Sequence, residues 1–304
     1  MSALAIKKRV EATGRRPAAA VELLPEGVLA AALPGRGVAP VYAFAPLAAG
    51  ALTPSLSETN LHDPHAVAAA MRAALEDAAA KGHIVTLVVP DSAVRVFVLD
   101  FDSLPQKPAE AIEVLRFRLR RMVPFDAESA GVSYQVLTET SSECRALVAV
   151  IPGPVLAEYE LAVRSAGYEP GAVLPSGLAA LAAVTGDEPV LAACLGAHSL
   201  TTSITRGQDL LLYRTVELPE DSAARLAEVQ KDLAVAAAYF EDKLGEKPRQ
   251  LAYAGPRSAE EFARWISDPS LRVVELTPRP TTGAATTLAR LSFAGITGAL
   301  AGAA

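Results

Sequence analysis

The chain contains only two cysteines, Cys144 and Cys194, in 304 residues. Two cysteines so far apart in sequence do not make the disulfide framework of a small secreted domain, and a zinc site needs four closely spaced ligands. Both cysteines lie in apolar, strand-like runs. We therefore interpret them as small buried side chains in a protein of a reducing compartment.

Long hydrophobic runs are also missing. A basic segment of sixteen residues comes first, and the apolar stretch after it is interrupted by Glu22, Pro25 and Glu26. A secretory signal peptide has a continuous apolar centre, and a membrane span needs a longer uncharged window. We therefore expect a cytoplasmic protein whose residues 1–17 form a flexible basic arm.

The overall charge is not basic. The net charge is −6 and the sequence pI is about 5.4, which argues against nucleic acid as the main partner. Hydrophobic residues make up 51% of the chain and charged residues 20%, which favours a substantial core in two domains or two lobes.

Familiar catalytic motifs are missing as well. The sequence contains no G-x-S-x-G, no G-x-x-x-x-G-K-[ST] and no G-x-G-x-x-G. His62 and His65 flank Asp63, but Asp63 is placed to cap a helix that begins at Pro64, and no further ligand group is suitably spaced. We assign no metal site and no catalytic residues.

What the sequence does contain is a pattern that occurs twice. Each half begins strand, turn, strand, turn, strand, helix, strand, and a last helix is predicted at 287–300. The first set of predicted strands and helix covers 18–24, 28–33, 41–44, 64–81 and 84–89, and the second covers 190–195, 200–205, 210–218, 222–244 and 251–254.

Between the two sets, a ββαββα pattern runs over 84–167. The pairs Val89-Pro90, Leu104-Pro105 and Val123-Pro124 mark its corners, because a residue before proline is pushed away from the helical region. We predict a flexible arm at 1–17, a first lobe at 18–83, an inserted subdomain at 84–167, and a second lobe with the terminal helix at 168–304.

The helix predicted at 108–122 is rich in arginine. Its core face carries Ile112, Leu115, Leu119 and Met122 at helical spacing. The opposite side carries Arg116, Arg118, Arg120 and Arg121. A solvated face paired with Glu110 and Glu113 is the favoured interpretation, and a cationic ridge for an acidic partner or anionic lipid is the alternative.

Two lobes with the same opening pattern are typical of the superfold of actin, hexokinase and the heat-shock chaperones, whose cleft holds ATP. ATPases of this fold place a D-x-G turn after the first strand of each lobe, where glycine lets the backbone approach phosphate and aspartate holds Mg²⁺. Here the first turn reads Glu22-Leu23-Leu24-Pro25, the second begins at Cys194, and the adenosine loop is Ala254-Gly255-Pro256.

The remnants of those nucleotide loops are Glu22, Gly196, Thr201 and Gly255. A leucine now lies in the phosphate path, and only Glu22 is placed to offer a carboxylate to a metal ion. We therefore assign no cofactor to the protein and expect any binding of ATP with Mg²⁺ to be weak.

The order of these segments resembles one family. VVPDSAVRVFVLDFDSLP followed by RMVPFDAESAGVSYQVL is similar to PilM-type type IV pilus assembly proteins, which are related to the division protein FtsA. The resemblance covers nearly the whole chain. It implies an α/β, two-lobed, actin-like fold with an inserted ββαββα subdomain, in a cytoplasmic protein docked under the inner membrane.

The resemblance also implies partners. It predicts a non-catalytic scaffold that binds the cytoplasmic tail of a PilN-like membrane protein and connects it to pilus motor ATPases, with contact to the membrane only through that partner. We place the partner site around Arg116, Arg120, Pro124 and Phe125.

Two alternatives stay open. One is an active Mg-ATP-binding ATPase or sugar-kinase relative that uses Glu22. The other is the equivalent scaffold of a type II secretion system, which a transmembrane helix after the actin-like part would favour, and none is predicted in this sequence.

Overall fold

The structure is a computed structural model and describes residues 16–35, 37–279 and 290–301. Residues 1–15 of the predicted basic arm lie outside this range. So do residues 287–289 of the predicted last helix. The strands are Ala19–Leu24 (β1), Gly27–Ala32 (β2), Val41–Pro46 (β3), Ile84–Val89 (β4), Arg95–Phe101 (β5), Gly131–Glu139 (β6), Cys144–Ile151 (β7), Glu169–Pro175 (β8), Pro189–Leu195 (β9), Ser199–Arg206 (β10), Asp209–Glu217 (β11), Gln250–Ala254 (β12) and Arg272–Glu275 (β13). The helices are Pro64–Asp77 (α1), Pro108–Leu119 (α2), Gly153–Ser165 (α3), Ser176–Ala180 (α4), Ser222–Leu244 (α5), Ala259–Ile266 (α6) and Ala294–Leu300 (α7).

Two five-stranded sheets share one topology. The first has the order β3-β2-β1-β4-β8 and the second β11-β10-β9-β12-β13. In each sheet three antiparallel strands are followed by two parallel ones. The repeated pattern in the sequence is therefore confirmed as two lobes of the same architecture.

Helix boundaries follow from local sequence. Asp63 accepts a hydrogen bond from the Ala66 N–H and Pro64 occupies the first turn, as predicted for α1. Asp221 caps α5 in the same way, and Gly245 ends that helix in a left-handed conformation with a φ of 76°. Each helix covers one face of its sheet, so both lobes have a layered core.

The inserted unit is smaller than predicted. Ile84–Val89 pairs with β1 and β8 in the first sheet, and α3 packs on α1 of the first lobe. The predicted boundaries 84–167 therefore need correction, and the inserted sheet has the order β5-β7-β6 with α2 packed on it. The reason is physical: a run as apolar as 84–89, in which Thr86 is the one polar residue, is typical of a strand in the middle of a sheet covered on both faces.

The α2 helix is also shorter than predicted. Its buried side chains are Ala111, Leu115 and Leu119, and Arg120 is its C-terminal cap. Met122 lies beyond the last turn and is 37% exposed, so it does not continue the predicted core face. A helical period applies only while the backbone remains helical.

The predicted boundaries of the second lobe, 168–304, also need correction, because the first and last elements of this range belong to the first lobe. Strand β8 completes the first sheet, and α7 packs against α4 and the open face of β1 and β2. Gly298 makes this approach possible, because a Cβ there would overlap with the Ala179 carbonyl oxygen. Chain order therefore does not give the lobe boundaries.

We expect Gly298→Ala to destabilise the protein by roughly 2 kcal/mol, because the added methyl group overpacks the contact between α7 and α4 despite its better helix propensity. Thr297→Ala, one residue earlier, removes only a hydrogen bond of 3.0 Å with the Tyr42 hydroxyl and should cost about 1 kcal/mol. Urea denaturation measures both. Equal stability of Gly298→Ala and the unsubstituted protein would contradict the close packing.

Candidate functional site

The cleft between the two lobes contains two cavities. The one at its base measures about 70 Å³, whereas pockets for drug-sized ligands are roughly 300–1,000 Å³. Alanines and one cysteine of the two lobes meet there, namely Ala180, Ala254, Ala294 and Cys194. The other cavity measures about 720 Å³ and is lined by residues 24–26 of the first lobe and by residues 195–197, Arg225 and Pro256 of the second. Small side chains therefore narrow the base of the cleft, while the larger cavity stays open between the same loops.

Glu22, the first of the predicted nucleotide-loop remnants, lies in this cleft on β1 and is 2% exposed. Ser176 donates a hydrogen bond of 2.5 Å to its Oε1. Burial raises the pKa of Glu22 to about 7, and the bond from Ser176 opposes that rise. Among the described residues, Oε2 has no hydrogen-bond partner. Glu22 is therefore a buried carboxyl that keeps its proton up to about pH 7, well above the range in which an exposed glutamate ionises.

Asp91 begins a 3-10 turn directly after β4 and lines the same cavity. Its carboxylate accepts hydrogen bonds from the Gly177 N–H at 2.9 Å and from the Thr201 hydroxyl at 2.8 Å. Burial raises its pKa, and the interactions with Gly177, Thr201 and Tyr213 act in the opposite direction. Gly177 belongs to the first lobe and Thr201 to the second, so this carboxylate connects the lobes.

The second-lobe turn keeps its glycine but not its acid. Burial raises the pKa of the Cys194 thiol, at the position where an ATPase would have aspartate, so the residue stays a neutral thiol. The carbonyl oxygens of Gly196 and Ala197 accept hydrogen bonds from Arg225, at 2.9 and 2.8 Å. This turn is fixed by contacts within its own lobe.

The four predicted remnants are near one another, but not all of them line the small cavity. Glu22 and Gly196 do, whereas Thr201 is bonded to Asp91 of the cavity wall and to the Thr215 hydroxyl. Gly255 follows Ala254 of the same wall, and its carbonyl accepts a bond from Arg279 at 2.9 Å. Thr201 and Gly255 therefore lie one residue or one hydrogen bond behind the lining.

These residues fit Mg-nucleotide poorly. Mg²⁺ prefers octahedral oxygen ligands and is usually held by one or two ionised carboxylates. Here burial raises the pKa of Glu22 to about 7 and so opposes its ionisation, Asp91 already accepts hydrogen bonds from both lobes, and Cys194 offers a neutral thiol. Across the described ranges, no group of three or more His, Cys, Asp and Glu side chains is arranged to hold a metal ion.

A second concave region lies between the first lobe and the inserted sheet. This groove measures about 390 Å³ and has one wall from the first lobe (Leu56–Thr59), one from the loop after α2 (Pro124–Asp126 and Ser129), and a floor from the start of α3 (Pro152–Val155 and Glu158). We call it the α3 groove. Pro124 and Phe125, which were predicted as partner-binding residues, both line it.

The walls of the α3 groove are held rigidly. Asn60 is fully buried, and its side chain bonds the Ser55 and Glu58 backbone and the Tyr159 hydroxyl. Glu158 accepts bonds from the N–H groups of Asn60 and Leu61 at 2.9 and 3.2 Å. The first-lobe wall is therefore preorganised, which lowers the entropic cost of binding a ligand.

Arg116 and Arg120, which were also predicted as partner-binding residues, support the wall of the groove that the loop after α2 forms. Arg116 donates hydrogen bonds to the carbonyl oxygens of Ala127 and Glu128. Arg120 pairs with the Glu128 carboxylate at 2.6 Å. Neither lines the groove. Both arginines therefore fix the loop that carries Pro124 and Phe125, a use of their charge that the sequence pattern did not reveal.

Several site residues were missed from the sequence. Asp91, Ser176 and Gly177 had no predicted role, although Asp91 follows Pro90 and Ser176 follows Pro175 at strand ends. In α/β folds, polar residues at the carboxyl ends of parallel strands commonly meet in a crevice. The strand β8, which positions Ser176 and Gly177, was itself not predicted, so this signal could not be used.

The class of fold is defined by two five-stranded sheets of the same topology, which lie on either side of a cleft, and by a third sheet inserted in the first lobe. This is the actin-like ATPase fold. In the part of the chain that is described, no helix has the length and apolar character needed to cross a membrane. No protein-family model matches the chain, and no curated protein matches it.

Solved structures do match. The chain is similar to the PilM–PilN type IV pilus biogenesis complex, with a TM-score of 0.75 and 21% identity over 96% of this chain and 100% of that one. It is also similar to the cytoplasmic domain of EpsL, an inner membrane component of the type II secretion system of Vibrio cholerae, with a TM-score of 0.52 and 13% identity over 93% and 94%. Identities this low show the fold alone.

The buried Glu22 makes stability depend on pH. Its folded pKa of about 7 lies above the ordinary 4.5, so only the folded state keeps the proton between these values and stability falls as pH rises. From about pH 5 to about pH 8 the loss should be roughly 2 to 3 kcal/mol.

Glu22→Gln should remove this part of the pH dependence, because the amide is neutral throughout and can still accept the bond from Ser176. Urea denaturation across this pH range measures the effect. Glu26→Gln, at an exposed glutamate of the same hairpin, is the matched control and should leave the dependence unchanged. A Glu22→Gln slope as steep as that of the unsubstituted protein would contradict the buried, protonated state.

Proposed function

We propose that this protein is an actin-like scaffold of an inner-membrane type IV pilus assembly platform and binds the cytoplasmic tail of a PilN-like membrane protein. The observation that carries the proposal is the similarity to the PilM–PilN complex over 96% of this chain. So few residues remain unmatched that the inserted sheet is included in the similarity. The protein itself would be cytoplasmic and reach the membrane through its partner.

The α3 groove is the site we propose for the tail. Its lining combines apolar surface from Leu56, Pro124, Phe125 and Val155 with the acidic residues Glu58, Asp126 and Glu158. An extended peptide that carries both apolar and basic side chains suits this lining, since apolar anchors supply affinity and opposite charge aids orientation. Arg116 and Arg120 would act indirectly, by holding the loop of Pro124 and Phe125.

A synthetic peptide of the PilN-like tail from the same genome should bind the purified protein, as measured by fluorescence anisotropy. Phe125→Ala should weaken binding about tenfold, or about 1.4 kcal/mol, because an apolar anchor of the groove is lost. Phe117→Ala is the matched control. Phe117 is 70% exposed on α2 and does not line the groove, so its loss should have no effect.

A charge pair of variants tests the acidic rim independently of packing. Glu58→Lys should weaken the binding of a basic peptide, because it reverses a charge of the groove. Glu246→Lys lies on an exposed loop of the second lobe and should leave the binding unchanged. Absence of binding by the unsubstituted protein at high micromolar concentration, or equal losses in Phe125→Ala and Phe117→Ala, would overturn the assignment of the groove.

We further propose that the scaffold is non-catalytic. A partly protonated Glu22, an Asp91 carboxylate already bonded to Gly177 and Thr201, and a neutral Cys194 support this proposal. The competing function is an active Mg-ATPase of the same fold. It would place the nucleotide in the cavity of about 720 Å³ between the lobes and would need Glu22 to ionise before a metal ion could be held.

Millimolar Mg-ATP should leave the thermal midpoint of the protein unchanged, because Glu22 is only partly ionised, Asp91 is already hydrogen-bonded and Cys194 is a neutral thiol, so that Mg²⁺ finds no suitable set of ligands. A ligand present at 100 times its Kd would add about 2.7 kcal/mol and shift the midpoint clearly. Magnesium chloride alone is the control. Tight Mg-ATP binding that Glu22→Ala abolishes would favour the ATPase instead.

The similarity to EpsL leaves a type II secretion scaffold as the second candidate. The two candidates differ in partner rather than in fold, so the peptide experiment separates them when the tail of the corresponding secretion protein is included. Docking of a motor ATPase is part of the proposed role in either system.

A further inference from the structure

The Asp91 carboxylate lies at the point where the two lobes meet. Its Oδ1 and Oδ2 lie 2.9 and 3.1 Å from the Gly177 nitrogen at the start of α4, in the first lobe. Its Oδ2 also accepts the Thr201 hydroxyl hydrogen bond at 2.8 Å from β10, in the second lobe. Thr201 in turn contacts the Thr215 hydroxyl on β11 at 2.9 Å.

The surroundings of this carboxylate are closely packed. A Cβ on Gly177 would lie 2.6 Å from Asp91 Oδ2 and 3.0 Å from the Tyr213 hydroxyl. Tyr213 and Leu210 of β11 belong to the same buried cluster as Ala93, Val94 and Val96, which follow Asp91 in the chain. The polar bridge is therefore flanked by apolar contacts between the same two lobes.

In nucleotide-binding members of a two-lobed fold, the bound phosphates provide the polar groups that both lobes contact. We propose that Asp91 is an interlobe latch, in which a carboxylate of this chain bridges Gly177 and Thr201 and holds the two lobes together at the base of the cleft without a nucleotide. The latch is independent of the peptide proposed for the α3 groove.

Three features make the latch specific to this arrangement. The carboxylate is shared between a backbone N–H and a side-chain hydroxyl, and bonds to a charged acceptor are stronger than neutral ones. The low dielectric of the closed cleft strengthens both bonds. Each partner belongs to a different lobe, so opening the cleft would leave a desolvated acceptor without its donor.

Hydrogen exchange followed by mass spectrometry tests the latch on the full chain. The informative peptides cover 176–183 and 199–206, on either side of the bridge, and a peptide covering 144–151 in the inserted sheet serves as the reference. Thr201→Val keeps the shape of the side chain and removes the hydroxyl. It should speed exchange roughly tenfold in both cleft peptides and leave the reference unchanged.

Thr205→Val is the matched control, because Thr205 lies on the same strand and does not contact Asp91. It should exchange like the unsubstituted protein. Unchanged cleft peptides in Thr201→Val would overturn the latch. Uniformly faster exchange, reference peptide included, would also overturn it, since the hydroxyl would then contribute to general stability rather than to closure.

A second measurement needs no variant. Without nucleotide, the cleft peptides of the unsubstituted protein should already exchange slowly, and millimolar Mg-ATP should not slow them further. Fast exchange that Mg-ATP suppresses would show that a nucleotide, not Asp91, closes the cleft. This result would contradict the latch while leaving peptide binding in the α3 groove untouched, so the two proposals fail separately.

Discussion

The architecture depends on hydrogen bonds and protonation that stabilise the carboxyl groups buried where the two lobes meet. Two carboxyl groups, those of Glu22 and Asp91, line that cleft in a cavity of about 70 Å³. Burying a carboxylate without partners is costly. The protein limits this cost in two ways: burial raises the pKa of Glu22, which accepts a hydrogen bond from Ser176, and Asp91 is bonded to both lobes. The two lobes are thereby joined at the base of the cleft.

The close approach of α7 and α4 completes the same arrangement. Gly295 lies next to Glu22 and Ser176, and Gly298 lies against Ala179. Small residues at these positions allow α7 to pack against the first sheet, and they bring Ala294 into contact with the residues at the base of the cleft. The small cavity at the base of the cleft is therefore enclosed by packed residues, while the larger cavity of the cleft and the α3 groove are open concave surfaces.

The sequence predicted most elements and the duplicated plan, because strand and helix periods, caps and proline corners act locally. The boundaries of α1 and α5 and the strand at 84–89 illustrate this. It did not predict the lobe to which several elements belong. Strand β8 was missed because Glu169–Pro175 has few apolar residues and two prolines, and its place in the sheet depends on parallel pairing with β4 across eighty residues of chain. The terminal helix was assigned to the wrong lobe for the same reason.

The amino-acid sequence alone shows that Glu22, Leu24 and Cys194 stand where ATPases of this fold carry aspartate and glycine, and it predicts an inserted αβ unit. The roles of the residues in the cleft became apparent only from the three-dimensional contacts. The partners of Glu22 and Asp91 lie 154, 86 and 110 residues away along the chain, and a pKa or a hydrogen bond depends on distance in space. Likewise, the sequence favours Arg116 and Arg120 as part of a solvated face paired with Glu110 and Glu113, yet they hold the loop of the α3 groove. Contacts between remote segments set these roles, and no local pattern records them.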